Sequence, residues 1–191
     1  MEAGRGAGKA VLLVVDAQVG VMRSLWDSPR IIENLSCAVD RARASGIRVI
    51  WVLHSADHLP KGSPEWQLVP RLAPVEGETV IDKLYNSAFE ETELEKELAR
   101  FGACHIFLGG AATNWCIRAT AYGALDRGYD LTLIADAHTT ANMETESGAT
   151  IQAESIVDEL NIVMSWLSYP DRKCAATTAV DVDFAEPSDE Q

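Results

Sequence analysis

Six consecutive apolar residues, AVLLVV at 10–15, end abruptly at a carboxylate, Asp16. A short apolar run with no polar face to turn toward water suits a strand buried on both sides, as in a parallel sheet. The pattern recurs at 47–53 (IRVIWVL), 104–108 (CHIFL) and 130–135 (DLTLIA), with a shorter piece at 79–81. Helical patterns stand between these runs. Ser28 reads as an N-cap and Pro29 as the first helical position, and Ile31, Leu35, Ala38, Val39 and Ala42 then recur at helical spacing up to Gly46. A capping box at 92–95 opens a helix to Phe101, 113–127 forms the next, and 144–160 the last, with 161–165 a candidate final strand. Strand and helix alternate without internal repeat. That order predicts an α/β fold: a single-domain, doubly wound (Rossmann-like) sheet, mainly parallel, with helices on both faces.

The 191 residues suffice for one core, placed at 10–168 between a flexible N-terminus (1–9) and a C-terminal tail (169–191), disordered or draped on a neighbour. Residues 55–78 hold four of the seven prolines and read as a long irregular loop. No stretch approaches the ~18 apolar residues of a membrane span. The first nine residues lack the apolar centre of a signal peptide, so the expected location is cytoplasmic. Cys37, Cys104, Cys116 and Cys174 show no paired spacing and read as reduced thiols, Cys37 and Cys104 in the core and Cys174 exposed in the tail. The net charge of −13 argues against a nucleic-acid or anionic-membrane partner. It leaves either a solvated acidic surface or a field favouring a cationic substrate. Much of the excess falls in the tail and at 90–97 (EETELEKE), away from the strand ends.

In open α/β sheets ligands bind beyond the carboxyl ends of the strands. Asp16, Gln18, Lys83 and Cys116 all fall at that rim. With Thr113 as N-cap, Cys116 lies in the first helical turn, where free N–H groups and the helix dipole favour a thiolate. The other reading is a small buried residue at a strand–helix junction. The run 109–112 (GGAA) has no bulk to keep a substrate carbonyl from the backbone. Lys83 and Asp16 are each awkward to bury alone; together beside a thiol they would satisfy one another and activate it. Alternatively, each is solvent-exposed at a loop start.

Four segments, VVDAQ at 14–18, KLYNSAF at 83–89, GGAATNWCIRAT at 109–120 and DAHTT at 136–140, occur in an order and spacing that resemble the isochorismatase-like cysteine hydrolases over about 10–165. That superfamily includes nicotinamidases, N-carbamoylsarcosine amidohydrolase and streptothricin hydrolases. The resemblance implies a catalytic triad of Asp16, Lys83 and Cys116, a cis Ala111–Ala112 peptide, and oxyanion donors at the N–H groups of Ala112 and Cys116. It implies a thioester mechanism on a small-molecule amide, no cofactor, and a homo-oligomer whose neighbouring subunit edges the pocket. Members that cleave isochorismate lack the cysteine, so Cys116 favours the amidase branch. Nicotinamidases of the family bind a metal through Asp-x-His plus a later His; here Ala56 stands at the aspartate position and only His58 matches, so no metal is expected. Candidate substrate contacts are Gln18, Trp26, His54, His58, Tyr85 and Trp115, with His138 behind the site, Trp51 open between cleft and core, and Trp66 open between cleft, loop anchor and oligomer contact. The expected activity is cleavage of an amide or lactam C–N bond, the streptothricin lactam being one candidate. Nicotinamidase or N-carbamoyl amidase activity is the alternative. A catalytically silent binding or scaffold subunit is the alternative of another class.

Overall fold

A computed structural model describes residues 8–184. Strand β1 (Lys9–Val15) sits at the centre of the sheet, because every side chain from Ala10 to Val15 finds an apolar partner. Ala10, Leu12 and Val14 enter one core, and Val11, Leu13 and Val15 the other, as the two-residue period of a strand requires. The chain then makes a short helix, α1 (Val19–Met22), and a long one, α2 (Ser28–Ala44), that covers the first core. β2 (Arg48–His54) and β3 (Thr79–Lys83) add outward on one side of β1. Helix α3 (Leu94–Phe101) leads to β4 (Ala103–Ala111) on the other side of β1. A π-helical turn (Thr113–Ile117) and α4 (Arg118–Asp126) lead on to β5 (Asp130–Thr139). The hairpin β6 (Met143–Glu144) and β7 (Thr150–Ile151), then α5 (Ala153–Trp166) and β8 (Cys174–Thr177), complete the described chain.

The sheet runs β3-β2-β1-β4-β5-β8 with every neighbouring pair parallel. The strand order reverses between β1 and β4, which opens a crevice at their carboxyl ends. Helices α3, α4 and α5 close the second core. No helix among the described residues is long and apolar enough to cross a membrane.

Several local expectations are corrected. The predicted strand at 161–165 is helical: Ile156, Val157, Leu160 and Met164 continue one buried stripe, and β8 occupies the sheet edge that strand would have taken. The predicted helix at 144–160 begins only at Ala153, because a hairpin turning at Gly148 (φ +81°) takes residues 143–151. The predicted tail is part of the domain through Phe184. β8 pairs with β5, and Ala179, Val182 and Phe184 are buried against the α2 side, Phe184 edge-on to Phe107 at 4.8 Å. Small residues build this edge strand, so it has no apolar run to announce it. Cys174 is accordingly half-buried, its Sγ 3.8 Å from Met164 Sδ. Of the N-terminus expected to be flexible at 1–9, residues 1–7 lie outside the described residues, as does 185–191 of the tail; Lys9 already belongs to β1. Helix α2 takes Asp27 as N-cap, and Ser28 instead donates its hydroxyl to the Met22 carbonyl at 2.7 Å.

Candidate active site

Directly after β1 the backbone at Asp16 turns to φ +52°, a left-handed conformation that aspartate tolerates better than most residues. The Asp16 N–H is held by the Val52 carbonyl at 2.8 Å. Its side chain is buried, with Oδ2 2.7 Å from Lys83 Nζ and Oδ1 without a hydrogen-bond partner among the described residues. Lys83, the last residue of β3, is equally buried. Its ammonium also lies 3.2 Å from the Tyr85 carbonyl, 3.3 Å from Cys116 Sγ and 3.4 Å from His54 Nδ1. The three residues therefore meet, with the ammonium bridging carboxylate and thiol. The loop carrying Lys83 is tied down by the Ala88 N–H, which donates to Thr120 Oγ1 of α4 at 3.0 Å.

Cys116 stands in the π-helical turn, where the N–H groups of Trp115 and Ile117 both donate to the Ala112 carbonyl. The peptide before that turn, Ala111–Ala112, is cis. Thr113 does not cap the turn; Ala112 holds the N-cap position, and the Thr113 hydroxyl is 2.9 Å from His138 Nδ1. The absent bulk at 109–110 serves strand packing. A Cβ on Gly110 (φ +125°) would stand 1.9 Å from the Val15 carbonyl oxygen, and one on Gly109 would meet the Ala137 carbonyl and Leu35 at 2.9 Å.

Electrostatics correct the expectation of a resting thiolate. Burial, and next the Asp16 carboxylate, push the Cys116 thiol up to about 12, against the opposing pull of Lys83. Burial likewise raises the Asp16 carboxyl above its ordinary value, with Lys83 opposing. Burial thus favours the protonated form of both the thiol and the carboxyl, with the Lys83 ammonium opposing in each case.

The expected substrate contacts separate. Gln18 is corrected: it is fully buried, and its amide is spent on the His54 N–H (2.8 Å), the His54 carbonyl (3.0 Å) and the Trp66 carbonyl (2.8 Å). It bolts β1 to the end of β2 and to the long loop, leaving nothing for a ligand. His54 is half-buried, driven down to about 4 by burial and then Lys83, and so neutral at ordinary pH. Tyr85 and Trp115 are about half exposed at the rim, at 48% and 53%. Trp26 is pinned by its N–H to the Thr140 carbonyl, while Thr140 Oγ1 bonds Asn114 beside Trp115. Trp51 lies in the core, donating to Glu78 at 2.7 Å, and Trp66 anchors its loop through Ser55 at 2.9 Å. Asn86 is the rim residue the sequence did not single out: exposed, it accepts from the Cys116 thiol at 3.9 Å. Its place inside KLYNSAF was the available signal. His58 is exposed, and no group of three or more His, Cys, Asp or Glu side chains that could hold a metal occurs among the described residues.

A model of the isochorismatase domain matches residues 10–166. The chain belongs to the isochorismatase family. Among curated proteins it is 30% identical over 144 residues to streptothricin hydrolase of Streptomyces noursei, covering 72% of this chain and 57% of that protein. It is also 30% identical over 122 residues to ureidoacrylate amidohydrolase RutB of Klebsiella pneumoniae, covering 47% of this chain and 52% of that enzyme. The chain thus aligns with little more than half the length of each. Among solved structures, an isochorismatase from Pseudomonas putida superposes with a TM-score of 0.83 at 27% identity, over 93% of this chain and 91% of that one. A cysteine hydrolase from Pseudomonas syringae reaches the same TM-score at 19% identity, over 92% and 91%, and speaks for the fold alone. The relatives so matched are a hydrolase and an amidohydrolase by name.

Proposed function

We propose that this isochorismatase-family hydrolase is a cysteine amidohydrolase that cleaves the C–N bond of a small amide or lactam through a thioester. The observation that carries the reading is the Lys83 ammonium, 2.7 Å from Asp16 and 3.3 Å from the Cys116 sulfur, with all three side chains buried. A buried ion pair adds little stability over apolar residues of the same size, so a chemical role accounts for it better than a structural one.

In the proposed cycle Cys116 Sγ attacks the carbonyl carbon while its proton passes to Asp16, whose Oδ1 has no other hydrogen-bond partner among the described residues. Lys83 offsets the negative charge that moves between carboxylate and sulfur. N–H groups of Ala112 and Cys116 receive the oxyanion. Collapse breaks the C–N bond, and the amine leaves with the proton held by Asp16. Water then attacks the thioester, giving a proton to Asp16 that returns to the departing sulfur.

The similarity to streptothricin hydrolase makes a cyclic amide of that kind the leading substrate candidate. The similarity to a ureidoacrylate amidohydrolase supports the second, an N-carbamoyl acid. A panel of small amides, lactams including streptothricin, and ureido acids is assayed for ammonia or amine release and ring opening, with Cys116→Ser as control. Turnover of at least one member, lost in Cys116→Ser and unaffected by EDTA, is expected. Substrate binding without turnover would instead identify a silent binding subunit, and loss of activity in EDTA a metal.

A further inference from the structure

A chain of buried hydrogen bonds runs behind the nucleophile turn. His138 is fully buried on β5, paired with Gly110 of β4 just past a register shift. Its Nδ1 is 2.9 Å from Thr113 Oγ1 and its Nε2 is 3.0 Å from Asn161 Oδ1, while Asn161 Nδ2 is 2.9 Å from the Ala135 carbonyl. The last bond sets the direction of the others. A carbonyl only accepts, so the Asn161 amide nitrogen faces Ala135 and its oxygen faces His138. Nε2 therefore carries the proton, and Nδ1 of the neutral ring accepts from the Thr113 hydroxyl. Burial drives His138 down to about 4, which keeps the ring in this one tautomer at ordinary pH.

The Thr113 end of the chain matters chemically. Thr113 is the first residue of the π-helical turn, flanked by Ala112 and three residues ahead of Cys116. Its hydroxyl makes no capping bond within the turn and instead donates to His138 Nδ1. The ring thereby fastens the turn to α5 and β5, two elements that carry none of the proposed triad.

We infer that His138 is a positioning residue for the oxyanion turn, holding Thr113, and through it the N–H groups of Ala112 and Cys116, in the orientation a tetrahedral intermediate needs. The inference rests on the proposed function and adds a residue that acts only through Thr113.

Two labelling reactions of Cys116 in the full chain, followed by peptide mass spectrometry, separate orientation from bulk structure. Iodoacetamide forms an S–C bond at a saturated carbon as iodide leaves, and creates no oxyanion. p-Nitrophenyl acetate forms a thioester through an oxyanion as p-nitrophenolate leaves. In both, the thiol proton is lost to Asp16 and then solvent. The wild-type ratio of acylation to alkylation rate is expected to exceed that of glutathione. It should fall at least about tenfold in both His138→Gln and Thr113→Val, with no further fall in the double variant, because misplacing an oxyanion donor slows only the acyl reaction. His138→Asn retains an amide at the Nδ1 position and should recover most of the ratio. Thr113→Val is nearly isosteric and serves if His138→Gln folds poorly. An unchanged ratio in both single variants overturns the inference, whether the two rates stay at wild-type levels or fall together. A wild-type ratio no higher than that of glutathione overturns the oxyanion turn itself, and with it the proposed mechanism.

Discussion

In the proposed mechanism Asp16 has to be buried to stand beside sulfur and ionised to act as a base, and Lys83 reconciles the two demands. Removing only the lysine leaves a buried charge uncompensated. Lys83→Met is therefore expected to be inactive and destabilised by about 3–5 kcal/mol in chemical denaturation, whereas Asp16→Asn/Lys83→Met recovers most of that stability and stays inactive. On the proposed mechanism the raised Asp16 carboxyl also sets the acid limb of the reaction. Activity should fall as pH drops through a value above the ordinary 3.8 of an aspartate, read from kcat/KM against pH, and a thiol near 12 adds no ionisation limb around neutrality. The linkage to stability has the opposite sense. The folded state holds this proton more tightly than the unfolded chain, so the stability Asp16 contributes is present below about pH 3.8 and is lost as pH rises through the raised value.

At the scale of elements, packing of β4 between its neighbours decides where the turn carrying Cys116 begins. Gly110 combines φ +125° with a Cβ position 1.9 Å from the Val15 carbonyl oxygen, so Gly110→Ala forces β4 away from β1. A loss of about 3 kcal/mol or more in denaturant, together with loss of activity, is expected. Gly148→Ala on the β6–β7 hairpin is the matched control. Its φ of +81° is left-handed too, but nothing lies within 4 Å of an added Cβ, so about 1 kcal/mol and full activity are expected. The hairpin and α5 also show where helical and strand periods misled. Residues 144–165 contain enough apolar positions for either element. The turn at Gly148 and the burial of Leu160 and Met164 against the second core divided them.

For the whole molecule, the C-terminal segment closes the sheet and the first core together. Arg41 of α2 donates to the carbonyls of Ala179, Val180 and Val182, and Asp136 accepts from the Ala179 N–H at 2.7 Å. Phe184→Ala should cost about 3 kcal/mol. Truncation after Lys173 should lower the melting temperature further and promote aggregation by uncovering the β5 edge, checked by thermal unfolding and light scattering. The sequence by itself determined the alternation that makes a parallel α/β sheet, because apolar runs without a polar face have few other uses. It also carried the motifs that put Asp16, Lys83 and Cys116 at the ends of β1 and β3 and just beyond β4. Only tertiary structure decided that these three touch, since they come from three strands far apart in the chain. It alone assigned Gln18 to backbone carbonyls and Trp51 to the core, joined His138 to Asn161, and drew β8 and Phe184 into the domain. Those outcomes depend on which polar atoms burial leaves unsatisfied and which edge is left open, and neither is a property of local sequence.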